Sequence, residues 1–338
     1  MNTTKLNQID HQYHDVLKAY DPNDRQMRYM KQFSQPIVEH ANEYKLCFDR
    51  FRIPMTSVPL LIFNPAPNFY TFELVYKTFT SGLIPITYIP SSVLSISHPF
   101  YYYIFSFNLF IKMINNALLA AYNALDIASG HTLPASAQAP YFQIDYTINM
   151  LSLVVQSTSY DHFGVDPINI YACKNFITYC YGIPSEYTDY ALNGRHILFT
   201  PMDSKNNTIT ISGVSFYNMM SESGQATLIK WNICVGFVIT SDLLPINMEN
   251  IPTGATQSLL LSRGIVSNFD LVFGATDISP LVAQYILQSP YKEIDMISND
   301  RITAIDFTVF WYDSEFNLYP CYLLPSESMS LRIVFIRK

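Results

Sequence analysis

Apolar and polar residues alternate with a period of two along much of this chain, most regularly at its end. Ile305, Phe307, Val309 and Trp311 fall on one face of an extended segment, with Asp306 and Thr308 between them. After a turn-rich interval, Leu331, Ile333 and Phe335 repeat the pattern, with Arg332 and Arg337 on or beside the wet side. Such alternation of β-branched and aromatic residues predicts half-buried strands. Two closing strands need partners supplied earlier, because an isolated hairpin is marginal in water.

Earlier segments supply candidates. Tyr44–Pro54 (YKLCFDRFRIP) alternates through Leu46, Phe48 and, less strictly, Phe51, and Pro54 and Pro59 end it. Phe69–Tyr76 repeats the period with Phe72, Leu74 and Tyr76, and a further piece runs from Leu83 to Ile89. Strand patterns return at 141–156, 196–200, 208–217 and 229–240, with weaker signals at 268–273 and 281–287. Between them the period changes to 3.6. In 106–125, Phe107, Phe110, Ile111, Ile114, Leu118, Ala121 and Leu125 form one stripe, with Ser106 as N-cap and Gly130 just past the end. Residues 167–182 loosely fit a short helix.

Residues 1–40 are polar, carry His11, His14, Asp15, Asp21, Asp24, Arg25 and Arg28, and have no apolar period. They read as an N-terminal arm that orders against a neighbour. No internal repeat is visible, which argues against propellers and solenoids. The expected fold is therefore mainly β: a single jelly-roll β-sandwich from 41–98 and 202–338, interrupted by an insertion at 99–201. The insertion holds a helix at about 106–126 plus strands. In a jelly roll the last two strands lie in opposite sheets, so Phe307, Val309 and Trp311 should face Leu331, Ile333 and Phe335 across the core. Tyr44–Ile53 is the expected neighbour of the final strand.

Composition supports this reading. Tyr (25) and Phe (23) dominate, and 20 Pro against 11 Gly suit strand ends. Only 14% of the 338 residues are charged, which leaves a surface that partners are expected to cover. Net charge is −7 with no basic runs, so direct nucleic-acid binding is not expected. The five cysteines (47, 173, 180, 234, 321) are odd in number and scattered in apolar contexts, as in a reducing compartment. The polar start, MNTTKLNQIDHQYHD, has no apolar core of a secretory signal. Pro85, Pro90 and Pro99 break the uncharged run 78–111, so no membrane span is expected.

Catalytic constellations are missing. The nucleophile elbow, phosphate loop, dinucleotide fingerprint and zinc-protease helix do not occur. His11 and His14 are three apart but have no third ligand in view. Cys173 with His196 is a nucleophile pairing that nothing in the sequence flags, and buried structural cysteines are the plainer reading. Asp145, Asp161 and Asp166 read as strand-end and turn residues. Asn206-Asn207-Thr208 fits a glycosylation sequon that no secretory signal would bring into use. No catalytic, cofactor-binding or metal residue is assigned, and the chain reads as a structural protein.

Several stretches together carry a resemblance. YKLCFDRFRIPMTSVP (44–59), FSFNLFIKMINNAL (105–118), APYFQIDYTINMLSL (139–153), WNICVGFVITSDLLPINME (231–249) and the ending from Ile305 to Lys338 resemble, in order, segments of the penton, or minor capsid, proteins of virophages, adintoviruses and polinton-like viruses. Asn317 stands where that pattern carries a turn Gly, and Arg332 where it carries Lys; Asn tolerates positive φ and Arg keeps the charge. The arm has no counterpart. The resemblance implies a homopentameric capsomer at the vertices of an icosahedral capsid, assembled inside the host cell. It would plug holes between trimers of a double jelly-roll major capsid protein, with other minor capsid proteins as further partners. The alternatives are a cementing protein elsewhere on the shell, or a host-attachment or glycan-binding sandwich with Tyr101–Tyr103 and Tyr179–Tyr181 exposed on the insertion.

Overall fold

The computed structural model describes residues 11–55, 58–90, 97–98, 101–146, 150–188, 195–202, 207–220, 231, 233–253, 257–270, 282–286 and 293–338. The chain divides into two compact units. One comprises Met1–Val58, Ile233–Val272 and Ser279–Lys338; the other comprises Pro59–Asn232 and Phe273–Ile278.

Eight strands of the first unit form its sandwich, β1 (His11–Ala19), β2 (Arg28–Gln32), β3 (Tyr44–Pro54), β4 (Gly236–Ser241), β5 (Gln257–Asp270), β6 (Val282–Ile286), β7 (Ala304–Tyr312) and β8 (Ser328–Arg337), and shorter strands at Met248–Thr253, Ile294–Asp295 and Leu318–Pro320 extend its sheets. One sheet runs β1-β8-β3-β6 and the other β2-β7-β4-β5, with every neighbour antiparallel. The chain crosses between sheets at every connection except β4 to β5. That is the jelly-roll order.

The two closing strands lie in different sheets, and their inward rows make the core. Phe307, Val309 and Trp311 of β7 are buried, as are Leu331, Ile333 and Phe335 of β8. Rings meet across the sandwich: Phe48 of β3 stands edge-on to Phe307 at 5.5 Å, and Phe51 to Phe237 of β4 at 6.1 Å. β3 pairs with β8 from Arg52↔Ser330 to Tyr44↔Arg337, as its alternation predicts.

The stretch expected as an arm behaves differently, because it carries the first two jelly-roll strands. β1 pairs along its whole length with the other edge of β8, from His11↔Ile336 to Ala19↔Ser328. β2 pairs with β7 from Arg28↔Thr308 to Gln32↔Ala304. The inward positions of β1 are Gln12, His14, Val16 and Lys18, and only Val16 is both apolar and buried. Alternation was therefore invisible, and backbone pairing to a free sheet edge makes the strand. The His14 ring fills its place between Phe33 (5.9 Å) and Phe335 (5.7 Å).

The insertion's limits also differ from 99–201, since the second unit leaves the sandwich after β3 and returns before β4. Leu61–Phe63 lies in a short apolar run and Thr71–Tyr76 alternates, yet they pair with Tyr101–Ile104 and Ile168–Ala172 inside the second unit. Period two marks a strand without naming its sheet.

In the second unit the helix spans Phe107–Ala128 and buries Phe110, Ile114, Leu118, Ala121 and Leu125. Ser106 sits at the N-cap in extended conformation without a side-chain cap bond. Gly130 has φ +65° and donates to Ile127 O at 3.0 Å, while His131 N donates to Asp126 O at 2.8 Å, closing the last turn. Asn115 clamps the helix to strand Tyr141–Asp145: its amide donates to Phe142 O (2.9 Å) and accepts from Phe142 N (2.7 Å). A four-stranded sheet runs from Tyr141–Asp145 through Met150–Gln156 and Val214–Met220 to Asn207–Ile211. Residues 167–182 hold strand Ile168–Ala172 followed by a single 3-10 turn, Lys174–Phe176.

A largely buried charge pair ties elements of this unit together. Glu73 is nearly buried and is gripped by Arg195, whose Nε and Nη2 donate to it at 2.7 and 2.6 Å, and by the Thr80 hydroxyl. Arg195 also lies over the Tyr171 ring at 5.4 Å. The Arg195 hydrogen bond holds the Glu73 carboxyl below its ordinary pKa.

The turn after β7 is organised by Asp313, which accepts from the backbone N–H of Glu315 and Asn317, the Asn317 amide and the Tyr319 hydroxyl. The positive φ expected at Asn317 falls instead on Phe316 (+61°), so Asn317 serves through its side chain.

Two predictions follow from this packing. Each unit holds one of the chain's two tryptophans, so Trp311 fluorescence in a Trp231→Phe background reports on the sandwich. There Phe307→Ala should lower unfolding stability by about 3–5 kcal/mol in a denaturant titration. Glu73 has a lowered folded pKa, so its stabilisation is present above the unfolded value of about 4.3 and is lost as pH falls through the folded one. Glu73→Gln should accordingly lower the melting temperature at pH 7, and the gap to the parent should narrow as the pH falls below about 4.

Candidate assembly surface

The residues weighed for chemistry do not converge. His11 and His14 lie three apart on strand β1, which sends them to opposite faces, so they cannot share an ion. No group of three His, Cys, Asp or Glu able to hold a metal occurs among the described residues. The Cys173 thiol donates to Phe69 O (3.2 Å) and accepts from Thr71 N (3.3 Å), while the His196 backbone donates to Ala172 O. Burial pushes the Cys180 thiol up to about 12 and the Cys47 thiol up to about 11, which keeps both protonated. Asp161 accepts from Phe163 N and the Tyr217 hydroxyl, and Asp166 pairs with Lys77 at 3.0 Å, so both serve turns. Asp145 ends its strand, exposed. Asn206 of the sequon lies outside the described residues.

The aromatic platform expected on the insertion is mostly internal. Tyr101 and Tyr103 are buried, and Tyr179 packs against Tyr70, Phe110 and Trp231. Tyr102 is stacked on Tyr88 at 4.0 Å, and Tyr181 is exposed. Tyrosines at adjacent strand positions alternate faces, so a run of three cannot present three rings.

The uncovered apolar and charged groups among the described residues lie elsewhere. On the outer face of the β1-β8-β3 sheet, cross-strand rows read Leu17–Ser330–Arg52 and Asp15–Arg332–Arg50. Arg332 grips Asp15 with two hydrogen bonds (2.7 and 2.9 Å), and Arg50 and Asp49 stand at 3.8 Å from the same network. The Arg332 hydrogen bond holds the Asp15 carboxyl below its usual range. Tyr13 (56% exposed) and Leu17 (67%) flank this ladder.

The other sheet holds, outside β2, β7 and β4, a cleft of about 540 Å3 lined by Arg28, Met30, Leu243 and Asp306 among others, and Lys18 reaches its rim from the end of β1 to pair with Asp24 at 2.9 Å. Asp306 accepts from the Ser241 hydroxyl and the backbone N–H of Asp242 and Leu243, which fixes its carboxylate in the cleft. Met30 (68%) and Leu243 (46%) leave apolar surface at the same place. The second unit has its own apolar prong: Phe163 and Val165 project from a turn tied down by Asp161. The sequence placed Arg332 and Asp306 at outward positions but marked none of the exposed apolar residues, since exposure depends on what tertiary neighbours leave uncovered.

Comparison with known proteins gives these surfaces a context. A family model described as Sputnik minor capsid protein V18/19 matches residues 15–337. The chain is similar to Structural protein V19 of Sputnik virophage, with 28% identity over 206 residues, 58% of this chain and 94% of that protein. It is also similar to Uncharacterized protein V18 of Sputnik virophage, with 31% identity over 155 residues, 38% of this chain and 89% of that one. Among solved structures, a chain of the Sputnik virophage determined by cryo-EM at 3.5 Å aligns with TM-score 0.76 and 28% identity, covering 97% of this chain and 98% of its own. The crystal structure of the mavirus penton protein aligns with TM-score 0.65 over 96% and 99% of the two chains; at 13% identity that likeness is one of fold. No helix among the described residues is long and apolar enough to cross a membrane.

Proposed function

The chain belongs to the Sputnik minor capsid protein V18/19 family, and on that premise we propose that it forms the homopentameric vertex capsomer, or penton, of an icosahedral shell. It is a structural protein of the capsid and not an enzyme. The observation that carries the finer reading is the family match, which runs through both units instead of covering one of them. The jelly-roll order and the fold shared with a protein named as a penton support it.

The physical argument points the same way. A closed ring of identical chains needs two different surfaces per subunit, one for each neighbour. The sandwich offers two outer faces of unlike character, each with large apolar side chains left in water. Interfaces enrich Tyr, Met and Arg, which those faces carry as Tyr13, Met30, Arg50 and Arg52. The wider partners are trimers of a double jelly-roll major capsid protein around the vertex.

Native mass spectrometry of the purified chain should find five copies of the 38.7 kDa polypeptide, and a particle reconstruction should place them on the fivefold axes. A protein that remains a monomer at high concentration, or one found away from the vertices, overturns the proposal.

A further inference from the structure

We infer that the two outer faces of the sandwich are the two halves of one heterologous contact: the Leu17–Arg52 face of one copy packs on the Met30–Asp306 cleft of the next. This inference rests on the ring proposed above and names its surfaces.

Three observations carry it. The first is position. Leu17, Ser330 and Arg52 form one outward row of the β1-β8-β3 sheet, whereas Met30 pairs with Asp306 on the outside of the other sheet. Surfaces on opposite sides of one sandwich cannot meet within a chain, but they meet head to tail in a ring of copies.

The second is charge. Arg52 is exposed and makes no ion pair among the described residues, and Arg50 is held only at 3.8 Å from Asp15. Asp306 likewise has no ion-pair partner among the described residues, although two backbone N–H groups fix its carboxylate in the cleft. Arg50, Arg52 and Arg332 outnumber Asp15 and Asp49 on one face, and Asp24, Asp242 and Asp306 outnumber Lys18 and Arg28 at the cleft, so a surplus guanidinium meets a preorganised carboxylate, the pairing that gives bidentate, orientation-specific contact.

The third is apolar exposure. β1 is an edge strand of nine residues without Pro, and its outward positions include Tyr13 and Leu17. An edge of that length with large apolar side chains in water invites association unless a partner covers it. Met30 and Leu243 are the corresponding uncovered groups at the cleft.

The test is complementation between two variants. Leu17→Glu spoils the first face and leaves the cleft intact; Met30→Glu does the reverse. Both residues are exposed and neither fills the core. Each variant alone should be monomeric by native mass spectrometry, its self-association weakened at least about tenfold. Mixed, they should form a 1:1 heterodimer and nothing larger, since only one good face of each remains. Dimer formation also shows that both variants are folded. Rings of normal size from either variant overturn the pairing while leaving the vertex reading intact, and assign that face to another capsid partner. A mixture that stays monomeric overturns it too, and a wild-type chain that is monomeric overturns both proposals.

Discussion

The packing of two sheets through Phe48, Phe51, Phe237 and Phe307 is the constraint on which the sandwich depends. Stacked sheets stand about 10 Å apart, a gap that aromatic rings from both sides fill together. Burying those rings supplies the main driving force, and it fixes which residues of each strand turn outward. The ionic ladder on one outer face and the cleft on the other are thus consequences of the core. Their residues are those that the core leaves in water.

That same constraint explains how the chain tolerates a second unit. Leaving after β3 and returning before β4 interrupts neither sheet, because β3 and β4 already lie in different sheets and need a connection between them. Loop closure costs grow only slowly with length, and the second unit has a core of its own around the Phe107–Ala128 helix. Asn115 and the Glu73–Arg195 pair each tie elements of that unit together through polar contacts that are fully paired. A buried pair of this kind fixes geometry more than it adds stability.

A shell protein is selected for what it leaves uncovered. Low charge and many aromatic residues would be a liability in a chain that works alone. In a capsid subunit those residues divide into an internal set, which includes Tyr101, Tyr103 and Tyr179, and an external set such as Tyr13 and Phe163. Only the external set is available to neighbours, and among the described residues of the sandwich unit it comprises Tyr13 on the edge strand and Phe316 in the turn after β7.

Local pattern was enough to specify the β character of the chain, the helix and the behaviour of the closing strands. The stripe from Phe107 to Leu125 and the stop at Gly130 are local signals, and they give the helix within about two residues. The rows Phe307–Trp311 and Leu331–Phe335 are long enough to predict burial on opposite sides of one core. Tertiary structure alone decided that β1 and β2 are strands. Their inward positions are too polar to alternate, and the bonds that hold them are backbone groups that every residue carries. It also decided which sheet Leu61–Phe63 and Thr71–Tyr76 join, because pairing partners far apart in the chain leave no mark on either segment. Exposure was decided in the same way: Leu17 and Met30 look like any apolar residue until the fold leaves them exposed among the described residues.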